Sequence, residues 1–482
     1  MKGILAIAYL YAALNLCANG QPSIERLYMA IELNNVLCGY SEITISDSTC
    51  SQGVFKSIEQ NVYISFHILG KDITQYQKFR YLIDPESGNF IFHDSYHEQG
   101  EMVFGNTVVV EGDSLVILTG EKRVNLFIPE NTILPNNNYY PYLLKDFGKD
   151  GIEEHIYQVY DFRSGGISSR TYKSLGTESL KLSNRTYQSL VLEESNPDAG
   201  PIAKLWICEN TGMRLRMESP QRLTMYLSDE SVKDKIKTGN WDEILFIKTN
   251  ASIKDLKNIR HMKVRVDLVA EPNSTIQDLN VPGQVFTGSV EEGEIRGICE
   301  IAHERYDGMN APFFPFKPNP EDKIDSYLEA SNNIESDDPV LVDKASRITE
   351  GSENAWEAAC RISHWVAENI EGSIIDGSAR DTYDRGSGLC GAQSYLMAAM
   401  CRAAGIPSRV VWGCMYTPKD GGSFGHHAWN EVFMGDNGWI PVDVTIHETD
   451  YVDSGHIRLG VLNTPRTSID YREIEILEYN ED

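Results

Sequence analysis

The chain has 482 residues, 41% of them hydrophobic, which at roughly 100 to 200 residues per domain suits two to four domains with sizeable cores. Its 70 acidic against 43 basic residues leave a formal charge of -27, which opposes sequence-independent attraction to phosphate backbones and anionic membrane surfaces, so nucleic acid is not an expected partner. No long single-sign block accompanies that charge, and it reads as a solvated surface.

Residues 1–20, MKGILAIAYLYAALNLCANG, combine an early lysine, an apolar run too short to span a bilayer and the small-x-small triplet Ala18-Asn19-Gly20. This is the pattern of a cleaved signal, with a mature chain expected from Gln21 that is secreted, periplasmic or held at the cell surface. Anchoring as a lipoprotein through Cys17 is the lesser alternative, because Leu16 is bulky where a small residue is wanted. No later stretch has the length and apolarity of a transmembrane helix. Beyond Cys17 the cysteines are Cys38, Cys50, Cys208, Cys299, Cys360, Cys390, Cys401 and Cys414, without framework spacing. Cys38 and Cys50 are near enough in sequence to pair across a loop, and free buried thiols are the other reading.

From 21 to 238 the texture predicts an antiparallel β domain. Runs such as NVYISFHILG and NTVVVEGDSLVILTG alternate with Gly, Asp and Asn turns, and ISSRTYKSLGTESLKLSNRTYQSLVLEE keeps period two, interrupted at Gly176 and at Ser183-Asn184-Arg185. This region weakly resembles the antiparallel half-barrels of lipoprotein-carrier-like proteins, which implies a surface for apolar or extended ligands; a purely structural β module is the alternative. Residues 239–320 form a second β-rich module, with KVRVDLVA and GEIRGICEIAHERY beside the turn signals Pro272-Asn273 and Pro282-Gly283, and end in the proline-rich linker Ala311–Asp322.

From 321 to 482 the pattern turns to helix followed by strand. In NAWEAACRISHWVAENI the apolar positions recur at three- and four-residue steps, with Asn354 as N-cap and Glu357 three residues on. In GSGLCGAQSYLMAAMCRAAGIP the helix formers run from Cys390 to Ala404, and Gly405 with Pro407 stops them. Cys390 therefore falls in the first turn, where unpaired N–H groups and the macrodipole favour a thiolate and can hold an oxyanion. Cys401, eleven residues on among Leu396, Met397 and Met400, reads as a small core residue. SRVVWGCM, HHAWNEVFM and WIPVDVT are three successive strands, which bring His427 and Asp443 next to each other. A thiolate needs a base and the base an orienting group. The two side chains share a face only if the connection at Gly435–Gly438 leaves an odd number of residues between paired positions, or a bulge. The tandem His426-His427 lacks a further cluster at ligand spacing, so no metal is expected, and His426 points to the opposite face of its strand.

GLCGAQSYLMAAMCRAAGIPSRVV, HHAWNEV and GWIPVDVT, in that order and spacing across about Pro339–Leu459, resemble the transglutaminase-like superfamily. The resemblance implies an α+β, papain-like thiol fold behind β-rich antiparallel modules, with Cys390 as nucleophile, His427 as general base and acid, and Asp443 holding the imidazole. Trp429, Trp439, Tyr383 and Gly391 would line the site, Trp429 and Trp439 shielding the ion pair or simply packing, and Tyr383 or Trp356 would be candidates for a further carbonyl-stabilising donor. The implied chemistry is attack of sulfur on a peptide or side-chain amide through an acyl-thioester, with a protein or peptide substrate and no cofactor. Hydrolysis by a peptidase or amidase is the leading expectation. A protein-glutamine transglutaminase is one alternative, and a noncatalytic protein that presents a groove to peptide or glycan is the other. No D-x-D-x-D-G calcium loop is present, and no feature fixes an oligomeric state.

Overall fold

The computed structural model describes residues 24–481, apart from 51–52, 69–70, 101, 121, 150, 163–164, 198–199, 257–258, 271–275, 277–278, 303, 320, 322, 374, 419–420 and 463–468. The leader-like segment with Cys17 and the turn Pro272-Asn273 lie outside the described residues. The chain parts between Ile244 and Leu245 into two units. Among the described residues no helix is long and apolar enough to cross a membrane.

The first unit is built on one large antiparallel sheet made of two meanders. One runs from Ile24–Leu33 to Lys122–Phe127 and the other from Glu154–Asp161 to Leu223–Ser228, and they join where Leu223–Ser228 pairs with Ile24–Leu33. Local chemistry sets the hairpins. Asn34-Asn35 and Ser183-Asn184 both hold positive φ at the two central positions, between the paired residues Leu33 and Val36 and between Leu182 and Arg185, which is the turn geometry that matches strand twist. Met29, Ile43, Tyr81 and Phe90 from one meander bury with Trp206 and Leu215 from the other. Leu134, from the connection between the meanders, joins them and accepts the Phe90 N–H at 3.0 Å. Cys38 and Cys50 stand near opposite ends of the single strand Val36–Cys50. Twelve steps of about 3.3 Å put them roughly 40 Å apart, too far for a disulfide, and Cys38 is a buried free thiol.

The second unit holds an α+β arrangement. A four-stranded antiparallel sheet comprises β1 (Ile259–Ala270), β2 (Gln284–Glu291) and β3 (Glu294–Ala302), with the chain's last strand, Ile469–Glu481, beside β1. Four helices follow: α1 (Pro339–Thr349), α2 (Ala355–Asn369), α3 (Ala379–Arg385) and α4 (Cys390–Ala403). Their starts are written in the sequence. Asp338 accepts the N–H groups of Val340 and Leu341 ahead of Pro339, Asn354 accepts that of Glu357 at 2.9 Å, and Ser378 accepts that of Asp381. A second sheet contains β4 (Ser408–Thr417), β5 (Ser423–Phe433), β6 (Trp439–Val442) and β7 (His456–Val461), together with Phe246–Lys248. Its Val410, Ala428 and Val432 pack with α1, α2 and α4, while Trp412, Cys414, Tyr416, Phe424, Ile457 and Leu459 pack with the four-stranded sheet. Helix α4 is the axle of the unit, buried without a break from Ala392 to Arg402. Each of its large apolar side chains, Leu396, Met397 and Met400, contributes about 1.5–3 kcal/mol by leaving water, so the helix start is held in place by its own core. The proline-rich segment is strapped to α2: the Ala355 N–H donates to Pro312 O at 2.8 Å, and Phe314 packs on the helical core.

Candidate active site

Cys390 opens α4. The N-cap position is Leu389, whose side chain has no oxygen and makes no cap bond, so the N-cap residue itself claims none of the first-turn N–H groups. Cys390 is half-buried, and a Cβ on its neighbour Gly391 would meet open space. Burial pushes the Cys390 thiol up. The hydrogen bond and charge of His427, with a further bond from the Ala428 backbone, outweigh it and hold the thiol below its ordinary range. Five other thiols move the opposite way: burial raises Cys38 to about 11 and Cys299 and Cys360 to about 12, and raises Cys401 and Cys414 further.

His427 sits in the middle of β5, and its cross-strand partner on β4 is Gly413. A Cβ at Gly413 would lie 1.9 Å from the Ile457 carbonyl of β7, so glycine allows β4 and β7 to close beside the imidazole. β5 and β6 are joined by the five residues Met434–Gly438, between the paired Phe433 and Trp439. An odd loop preserves the side-chain face, and Asp443, one residue past β6, meets His427: Nε2 lies 2.6 Å from Oδ2. Burial presses the His427 pKa down, but the Asp443 charge and hydrogen bond, with the bond to Cys390, carry it up to about 10. Burial likewise pushes Asp443 up, and the two imidazoles that contact it bring it well below the usual carboxylate range.

The remaining residues singled out in the sequence occupy different surroundings. Trp429 is buried, its indole stacked on His427 at 6.1 Å and edge-on to His456 at 5.1 Å. Trp439 packs on Tyr327 at 5.1 Å and Phe433 at 5.3 Å, with the Arg409 guanidinium 4.0 Å from its ring centre. Tyr383, on α3, stacks on Trp365 at 5.9 Å. Trp356 is a buried residue of α2 set edge-on to Tyr306. His426 stacks on Trp412, away from His427 as the strand alternation requires.

Sequence reasoning missed a buried group behind Asp443. His456, the first residue of β7 and 1% exposed, places Nε2 at 3.2 Å from Asp443 Oδ2 and Nδ1 at 3.0 Å from Asp453 Oδ1. The Thr445 N–H donates to Asp443 Oδ1 at 2.8 Å, and the Asp453 N–H donates to Glu448 Oε2 at 2.9 Å. Two triplets, His427, Asp443 and His456, and Glu448, Asp453 and His456, bring their ligand atoms within 4.8 Å of one another. These hydrogen bonds account for that proximity. The sole sequence signal for the cluster was a histidine and two carboxylates within nine residues of an apolar strand, with no spacing rule to mark them.

Comparison with known proteins adds the following. Residues 342–444 match the transglutaminase-like superfamily. An uncharacterized protein of Haemophilus influenzae is 27% identical over 146 residues, which cover 25% of this chain and 39% of that protein; the chain thus spans well under half of that relative's length. A candidate cysteine protease from Cytophaga hutchinsonii aligns at a TM-score of 0.34 and 17% identity over 49% of this chain and 91% of its own. A β-barrel-like protein of unknown function from Brucella abortus aligns at 0.31 and 10% over 43% and 94%. A candidate protease from Parabacteroides distasonis aligns at 0.20 and 11% over 82% and 69%.

Proposed function

We propose that the transglutaminase-like domain of this chain is a thiol acyl-transfer enzyme that hydrolyses peptide or side-chain amides, with Cys390 as nucleophile, His427 as general base and acid, and Asp443 orienting the imidazole. The observation that carries the reading is a buried His427 hydrogen-bonded to Asp443 at 2.6 Å, whose charge and bond hold the Cys390 thiol low at the N-terminus of a buried helix. A sulfur paired with an imidazolium attacks the amide carbon while α4's first-turn N–H groups receive the carbonyl oxygen as it gains charge. The His427 proton then passes to the departing nitrogen, leaving an acyl-thioester on Cys390. His427, now neutral, takes a proton from water, hydroxide adds to the thioester, and collapse releases the carboxylic acid and restores the thiolate-imidazolium pair. Because Cys390 keeps partial access to solvent, water is the acceptor at hand. Export of the enzyme rests on the leader-like residues 1–20, and N-terminal sequencing of protein recovered from its host tests it.

The deciding experiment offers a library of glutamine-containing peptides with and without a primary amine and reads products by mass spectrometry, with Cys390→Ala as control. Backbone cleavage or loss of ammonia without amine incorporation, both absent in Cys390→Ala, is the expected result. Incorporation of the amine would make the enzyme a transglutaminase, and unchanged peptides from a protein whose Cys390 is reactive would remove amides as its substrates.

A further inference from the structure

We propose that His456 is a positioning residue of this site: a buried imidazolium that shares the Asp443 carboxylate with His427, is itself held by Asp453, and so both aims Asp443 and offsets part of its charge. The inference rests on the function proposed above and adds a residue to it.

With Asp443 and Asp453 both held below their ordinary ranges and so ionised, the geometry admits one protonation state. Both ring nitrogens of His456 face carboxylate oxygens, at 3.2 Å and 3.0 Å, and an ionised carboxylate only accepts. Each nitrogen must therefore carry a proton, which makes the ring a cation. Asp443 Oδ2 receives two imidazoles, His427 at 2.6 Å and His456 at 3.2 Å, and Oδ1 takes the Thr445 N–H. The carboxylate is fixed on both oxygens. Asp453 is fixed in turn, its Oδ1 accepting the Gly455 N–H at 2.8 Å and its own N–H donating to Glu448. Reciprocal backbone bonds of 2.8 Å between Asp443 and Glu448 close the loop on which these groups sit.

The titratable and charged groups facing this cluster come from several elements. α4 brings Cys390, β5 brings His427, and the loop after β6 brings Asp443, Glu448, Tyr451 and Asp453. On β5 and β7, Glu431 and Arg458 pair with each other at 2.8 Å and Arg409 of β4 completes that group. In this inventory His456 is the cation, besides His427, that touches Asp443. Its role follows from the proton that His427 must both hold and release. A buried carboxylate with a single imidazolium grips that proton tightly and slows its delivery to a leaving amine. A second cation on the same oxygen loosens the grip, while Trp429, set against both rings, keeps other side chains and solvent from one side of the pair.

His456→Gln removes the charge and leaves an amide that can still donate a hydrogen bond. The rate of Cys390 alkylation by iodoacetamide should be followed from acid to alkaline pH in parent and variant. The step at which His427 loses its proton should rise by about half a pH unit or more, since each unit is about 1.4 kcal/mol of interaction with the proton. Turnover of an amide should fall at least about tenfold more than that of an activated ester, whose leaving group needs no proton. A purely structural His456 would lower both substrates together and leave the alkaline step where it was, which overturns the inference. Should the variant not fold, nitrogen NMR of histidine in the parent protein decides: both His456 nitrogens protonated at neutral pH supports the assignment, and a neutral tautomer ends it. If parent Cys390 shows no thiolate on the acid side at all, the proposed function fails, a result distinct from an unmoved alkaline step.

Discussion

At the residue scale six of the described cysteines differ through their surroundings, and the difference is measurable. Burial raises Cys38, Cys299, Cys360, Cys401 and Cys414, whereas His427 brings Cys390 down. Iodoacetamide at about pH 6 should label Cys390 first, with His427→Ala slowing that labelling on the order of tenfold or more because the positive partner is lost and the helix start and the Ala428 backbone bond are left to favour the thiolate. Peptide mapping that finds Cys401 or Cys414 labelled as fast would remove Cys390 as nucleophile. Asp443→Asn should leave labelling less affected and cut kcat by about 10²–10⁴, because orientation of the imidazole matters most when the proton is delivered. Glu448 makes a second prediction. Burial, and then the neighbouring Asp453 charge, push it up to about 8, so from about pH 4.3 up to that value the folded chain keeps a proton the unfolded chain has lost. Its contribution to stability is therefore full at acid pH and declines as pH rises. Glu448→Gln cannot release that proton, and its urea midpoint should drop less than the parent's between pH 5 and pH 9; equal drops would show that Glu448 is ionised throughout.

At the element scale, three strands must close around one imidazole. Gly413 is the narrow point, since the carbonyl of Ile457 occupies the space a side chain would need. Gly413→Ala should force β4 and β7 apart, costing about 1–3 kcal/mol as overpacking does, and should slow acid-side alkylation of Cys390 because His427 sits directly across from that glycine. Unfolding curves and alkylation rates indistinguishable from the parent's would show that the sheet absorbs the methyl group without moving the histidine. Odd parity in the Met434–Gly438 loop is the other element-scale condition, and the turn is held by the Met434 N–H to Gly438 O bond at 2.8 Å.

At the scale of the whole molecule, each unit owns its core. The second unit depends on a segment beyond the superfamily match at 342–444: Ile469–Glu481 pairs along β1, and Ile469, Ile474 and Ile476 bury against Met262, Val264, Val266 and Leu268. Each isoleucine contributes about 1.5–3 kcal/mol, a large share of a net stability of about 5–15 kcal/mol. A chain ending at Leu462 should lose cooperative unfolding or bind a hydrophobic dye. Retention of a parental transition would mean that β1 needs no neighbour on that edge.

Sequence alone determined what short-range chemistry encodes. The glycine-flanked Cys390 ahead of a run of helix formers, the Asn354 and Glu357 helix start, the turn at Ser183-Asn184-Arg185 and the strand carrying His427 all follow from patterns within a few residues, where propensity and periodicity act, whereas Asp443, expected inside a strand, falls one residue past the end of β6. What lay beyond that range was settled by packing. Pairing of Ile24–Leu33 with Leu223–Ser228 joins residues about two hundred positions apart, and the last strand returns to β1 across a similar distance; neither partner carries a local mark of the other. Cys38 and Cys50, adjacent enough in sequence to suggest a bond, were separated because one continuous strand runs between them. His456 was invisible for the same reason. A histidine in an apolar strand has no periodic signature, and it acquired its charge only when the fold set Asp443 against one nitrogen and Asp453 against the other.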